Sequence, residues 1–146
     1  MSAPLYNTDI LRLAASIPHH RRLPDPHGSA EMRSPVCGSR VTVDVVLGPD
    51  GRVAQIGLLV RACALGQASA SLLAAAMLDR TPGELAAARD SLAAWLARGG
   101  EQPEWPGIAV LTPVLDYPAR HASVRLAFEA AAAAAEQAVS VEPAHG

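Results

Sequence analysis

Residues 41–47 read VTVDVVL and residues 52–60 read RVAQIGLLV, with GPDG between them. Val41, Val43 and Val45 alternate with Arg40, Thr42 and Asp44. That period of two fits a strand with one face buried and one face wet. Pro and Gly in GPDG supply turn chemistry, so the two runs fold back on each other as an antiparallel hairpin. No other feature of the chain constrains its architecture as tightly. If Leu47 and Arg52 flank a four-residue loop, the numbers of paired residues sum to about 99. On that register Cys37 faces Ala62 and Cys63 faces Val36. Directly opposed side chains in a hairpin have Cβ atoms about 4.5–5.5 Å apart. The hairpin so read gathers the only two cysteines of the chain at its open end.

The flanking sequence changes period. Asn7 or Thr8 caps a first helix whose apolar face is Ile10, Leu11, Leu13, Ala14 and Ile17, and Pro18 ends it. The stretch HHRRLPDPHGSAEMRSP that follows reads as a polar, proline-rich loop. After Cys63, LGQASASLLAAAMLDR predicts a helix whose small residues Ala68, Ala70 and Ala74 permit close approach to the sheet. TPGELAAARDSLAAWLARGG predicts another, with Thr81 as cap, Pro82 in the first turn, Glu84 completing a capping box and Gly99 as the stop. EQPEWPGIAVLTPVLDYPARH reads as an irregular connection. A last helix runs from about Ala119 or His121 through SVRLAFEAAAAAAEQAV, its alanine run accounted for by helix propensity alone.

With 146 residues, the length suits one domain, taken as residues 1–139 with a loose tail at 140–146. Half the residues are hydrophobic while only 3% are aromatic, so the core is built from Val, Leu, Ile and Ala. The net charge of −2 gives no global attraction to nucleic acid or an anionic membrane. Every basic residue is Arg. No apolar run approaches the roughly 20 residues that span a bilayer. The N-terminus lacks a basic start, an apolar block and a cleavage site, which points to a cytoplasmic protein. A reducing compartment makes a Cys37–Cys63 disulfide the weaker expectation. No nucleophile triad, paired carboxylates or phosphate-binding glycine loop is present, so the chain does not read as an enzyme.

A lone cysteine is often just a small buried hydrophobe. Two at one hairpin end carry more chemistry. A helix start after Cys63 favours negative charge, hence thiolate, and Gly38 beside Cys37 lets backbone come close to a ligand. Two sulfurs alone do not complete a four-ligand zinc site or a cluster site. His19, His20, His27 and His121 are imidazole candidates, each with the simpler reading of a solvated side chain.

Four segments resemble the U-type iron–sulfur cluster assembly scaffolds, the family of IscU, the N-terminal part of NifU, and SufU. HRRLPDPHG resembles the histidine–proline–glycine loop after the first helix, with His20, Pro24 and Gly28 on its pattern. PVCGSR resembles the first ligand-cysteine segment, and RACALGQASASLLAAAM the second. YPARHASVRLAFEA resembles the third, and the GIAVLTPVLDYPAR connection favours the SufU-like branch. The resemblance implies an α+β fold: a small three-stranded antiparallel sheet packed by helices, with a site at one end. The family site is three cysteines and an aspartate. Cys37 and Cys63 match two of the cysteines, Ser39 stands where the aspartate is, and Ser123 stands where the third cysteine is. Serine hydroxyls are poorer ligands than thiolates, and His121, two residues from Ser123, is a candidate substitute. The implied role is to hold an iron–sulfur unit or zinc and accept sulfur through Cys37 and Cys63. The implied partners are a cysteine desulfurase and cluster-receiving proteins. The alternative is a relative that kept the fold, lost the metal and became an interaction module.

Overall fold

The alternation around Val43 becomes β2 (Arg40–Leu47), the central strand of an antiparallel sheet in which it pairs with β1 (Gly28–Arg33) and β3 (Val53–Arg61). The computed structural model describes residues 6–34 and 38–141. Around the sheet stand α1 (Thr8–Ala15), α2 (Ala64–Ala76), α3 (Pro82–Leu96) and α4 (His121–Val141), with 3-10 turns at Ile108–Asp116 and Pro118–Arg120. The α+β architecture implied by the sequence is the architecture observed. Among the described residues, no helix is long and apolar enough to cross a membrane.

One sheet face is the core. Val41, Val43 and Val45 are fully buried there, beside Val60, Leu58 and Ile56 of β3. The helix laid on this face is α4, which crosses β1 and β2 and is flanked by α2 and α3. Its alanines 127, 130, 131, 134, 135 and 138 are wholly buried. Helix propensity alone is therefore an incomplete account of the alanine run: side chains no larger than methyl let two backbones meet. A Cβ on Gly28 would collide with the carbonyl oxygen of Ala134 and come within 2.7 Å of the Ala138 nitrogen. The small residues of α2 are buried as expected, but they serve chiefly its packing on α1 and α4, with lighter contact to β3.

Helix ends follow local chemistry. Asn7 Oδ1 accepts from the Ile10 amide at 3.0 Å. Thr81 and Glu84 exchange the two bonds of a capping box at 3.1 and 2.8 Å. The predicted stop at Gly99 is corrected: α3 ends at Leu96, and Arg98, not Gly99, takes the left-handed conformation with φ of 60°. α4 runs to Val141, two residues past its expected end.

Two further expectations are corrected. The stretch GSAEMR, read as loop, is β1, an edge strand whose inner positions are only Gly28, Ala30 and Met32. The hairpin register is also two residues from the predicted one: Arg40 pairs with Arg61 and Val46 with Gln55. The loop is one residue longer than expected, since Leu47 pairs with Val53, and a bulge follows. The cause is competition for backbone groups. Leu47 N–H donates to His27 Nδ1 at 3.2 Å. Both backbone groups of Val53 are engaged by the α2–α3 connection, its N–H to Arg80 O and its C=O from Asp79 N, each at 2.9 Å.

The outer face of the sheet is partly roofed by residues 19–23. His19 O accepts from Leu58 N at 3.0 Å, and His20 Nε2 accepts from Val60 N at 3.2 Å, so the open edge of β3 is blunted. Gly57 makes room for the roof, because a Cβ there would meet Arg21 O and come within 3.0 Å of Leu23 N. Beneath lies Asp44, fully buried on the outer face beside buried Thr42. Its carboxylate accepts from Arg22 Nε at 2.7 Å and Nη2 at 3.1 Å, from Ser29 Oγ at 2.7 Å, and from Leu23 N at 2.9 Å. Burial opposes its ionisation, but these bonds outweigh that and hold the carboxyl below its usual value.

A depressed carboxyl stabilises the fold above its unfolded value near 3.9, and the contribution is lost as pH falls through the lower folded value. Asp44→Asn is expected to cost about 2–4 kcal/mol at pH 7, since Arg22 remains half exposed. Urea unfolding should show the wild type losing its advantage over Asp44→Asn as pH drops below about 4.

Candidate functional site

At one end of the sheet Ser39 precedes β2 and Cys63 follows β3. There Ser34 N donates to Ser39 O at 2.9 Å and Gly38 N to Ser34 O at 3.0 Å. Gly38 has φ of 72°, a conformation that favours glycine. It is thus required by the turn itself rather than by an approaching ligand. Ser39 is buried at the start of β2. Cys37 lies outside the described residues, so its expected pairing with Ala62 does too; the last β2–β3 pair at this end is Arg40 with Arg61.

Two residues past Arg61, Cys63 is the N-cap of α2, a half-buried free thiol packed at the margin of the core. Its carbonyl accepts from Gln67 N at 2.9 Å, which starts the helix. One turn in, Gly66 faces the start of α4: a Cβ there would lie 3.4 Å from Ser123 O, 3.8 Å from Ser123 Cβ and 2.7 Å from Ala62 Cβ. The next turn is locked to the same place, as buried Ser69 Oγ donates to Val124 O at 2.6 Å. Ser123 is itself buried, at 3% exposure. The first turns of α2 and α4 are thereby held together.

His121 opens α4 and is half buried, with Nε2 bonded to Val114 O at 2.9 Å. That nitrogen is the donor of the pair, and it ties α4 to the preceding 3-10 turn. His20 and His27 are not merely solvated. Each accepts a backbone amide with one ring nitrogen, the structural role described above.

Soft metals want several thiolate or imidazole donors. The described donors are one thiol, two buried hydroxyls and an imidazole whose Nε2 is engaged. Among the described residues no group of three His, Cys, Asp or Glu side chains is arranged for a metal ion. A four-donor shell on these residues alone does not fit.

No protein-family model and no curated protein sequence matches the chain. Solved structures do. A nitrogen-fixing NifU-like protein (N-terminal) from Brucella abortus is 39% identical over 93% of this chain and 95% of its own, with a TM-score of 0.85. The chain belongs to the NifU-like, U-type scaffold family. An iron–sulfur cluster assembly scaffold candidate for the SUF system of the thermophile Fervidobacterium islandicum AW-1 is 20% identical over 90% of this chain and 96% of its own, and its TM-score of 0.82 shows the shared fold. Within this NifU-like frame, the outer-face arginines Arg33, Arg40 and Arg61 went unread in the sequence. The register places them in one row across the three strands, beside Gly38 and Ser39. Only the register could have revealed them.

Gly66→Ala should destabilise by about 1–3 kcal/mol, because the added methyl pushes α2 from Ala62 and Ser123. Gly83→Ala, whose new Cβ meets only Thr81 Oγ1 at 3.8 Å, should instead gain up to about 1 kcal/mol from helix propensity. Paired urea titrations of the two variants check both signs.

Proposed function

We propose that this chain is an iron–sulfur cluster assembly scaffold. It takes the cluster, or zinc, as cargo on Cys37 and Cys63, and accepts sulfur on those thiols. Ser39, Ser123 and His121 border the same site. A cysteine desulfurase would deliver the sulfur and acceptor proteins would take the product. The single observation that carries this reading is the clamp between helix starts: Gly66 against Ser123 and Ser69 bonded to Val124. It supports a geometry in which Ser123, at the position matching the family's third cysteine, lies against the first turn of the helix that Cys63 caps. Both structural relatives quoted above support the scaffold role, one as a NifU-like protein and one as a SUF scaffold candidate.

The second reading, an interaction module without metal, is favoured by one feature. Ser39 and Ser123 are buried at 4% and 3% exposure, so both former ligand positions have been absorbed into the packed interior.

Anaerobic titration with iron plus sulfide, and separately with zinc, decides between them. The scaffold reading expects a visible chromophore or stoichiometric zinc that Cys37→Ala and Cys63→Ala each weaken by about tenfold or more. It also expects Ser123→Cys to tighten binding, because thiolate is the softer ligand. Metal-free protein under every condition, with Ser123→Cys equally inert, assigns the chain to the second reading.

A further inference from the structure

The outer sheet face carries an unbalanced charge. Four arginines stand on or over it, Arg22, Arg33, Arg40 and Arg61, with two buried or partly covered acids, Glu31 and Asp44. Asp44 is taken by Arg22 at 2.7 Å, and Glu31 by Arg33 at 2.8 Å. Glu31 also accepts weakly from Thr42 Oγ1 at 3.4 Å. Arg40 and Arg61 are left with no ion pair among the described residues, and they are direct cross-strand partners. Directly opposed like charges destabilise a sheet. Here the pair occurs in a chain whose overall charge is −2, so it is no by-product of a basic surface.

The two guanidiniums also border open space. A cavity of about 490 Å³ is lined by Arg33, Ser34, Gly38, Ser39, Arg40 and Arg61. A smaller one of about 160 Å³ shares Arg40 and Arg61 and continues toward Arg22, Thr42 and Glu31, whose carboxylate is bonded to Arg33. The larger is of small-ligand size, within the usual range of about 300–1,000 Å³. Guanidinium is planar and presents paired donors matched to phosphate oxygens. Opposed residues of a strand pair hold their Cβ atoms about 5 Å apart, a spacing that lets two such forks grip one tetrahedral anion.

We propose that Arg40 and Arg61, with Arg33 at the rim, form a binding site for a small phosphate-bearing anion. The bound dianion neutralises the cross-strand repulsion, and the rest of the cavity receives the group esterified to it. This site lies on the outer face of the sheet; it shares Ser39 with the proposed cargo site, but its grip on the anion is made by arginines and needs no thiol or metal.

The test is calorimetry and thermal unfolding of the full chain in inorganic phosphate, pyrophosphate and a nucleoside monophosphate, each against chloride at matched ionic strength. Saturable binding is expected, with a rise in Tm beyond the chloride control. A tighter Kd for the monophosphate than for inorganic phosphate identifies an ester as the occupant, and equal values identify the free anion. Arg40→Gln and Arg61→Gln should each weaken binding about tenfold or more, since charge-assisted hydrogen bonds are lost. The double variant should bind nothing while unfolding, in low salt without ligand, at or above the wild-type Tm, because a repulsion has been removed. Arg89→Gln, at an exposed ion pair on α3, should bind as the wild type does. Identical Tm in phosphate and chloride overturns the proposal, as does unchanged affinity in the double variant. A glutamate-rich peptide binding more tightly than pyrophosphate also overturns it and makes this face a protein-docking surface.

Discussion

The fold depends on how closely α4 lies on the sheet. Helix and sheet usually meet through interdigitated side chains, about 10 Å between axes and planes. Here the contact side of α4 carries methyl groups at six buried positions from Ala127 to Ala138, and β1 answers with Gly28, whose missing side chain admits the Ala134 carbonyl. Dispersion between closely packed atoms rises steeply with contact, so a seam of small residues binds well despite its modest area per residue. Larger apolar groups fill the core around this seam. Trp105 meets Phe128 edge-on at 5.2 Å, donates to Leu72 O at 2.8 Å, and lies beneath Arg80 at 4.3 Å. That one cluster joins α2, α4 and the long connection, and it accounts for much of what few aromatics can do.

The legibility of the chain tracks the range of the interactions involved. The β2–β3 hairpin, the Thr81–Glu84 box and the Asn7 cap are short-range, and the sequence reveals each. The strand β1 is hidden because its inner row is Gly, Ala and Met, too weak to register as a period of two, and because it depends on α4 more than a hundred residues away. The register error has the same origin: the groups that shift it, His27 and the Asp79–Arg80 backbone, come from outside the hairpin. Summing to 99, the pairing sets Arg40 against Leu59; the observed pairing sets it against Arg61. A two-residue shift thus keeps every inward residue inward while exchanging every neighbour.

The candidate site divides in the same way. Cys63 before a helix and Ser123 near the start of another are readable from the chain, as is the match of both to the NifU-like pattern. What holds the two helix starts together is not. Gly66 and Ser69 do that work through a missing side chain and a hydroxyl aimed at a carbonyl, neither distinctive in a run of small residues. The histidines show the converse. His20 and His27 invite a metal reading by residue type, yet each is consumed by a backbone amide, because a strand edge and a bulge leave donors that need acceptors.

The seam on α4 also links distant parts of the molecule. A helix rises about 1.5 Å per residue, so Ala134 and Ser123 sit some 16 Å apart on one stiff rod. With no flexible side chain in the seam to absorb a bulkier neighbour, a disturbance at its far end is passed along the rod as a tilt. The hydroxyl of Ser123 and the ring of His121 ride on the near end of that lever. Under the scaffold reading proposed above, an interior alanine of the seam would bear on the site as directly as the residues at its mouth.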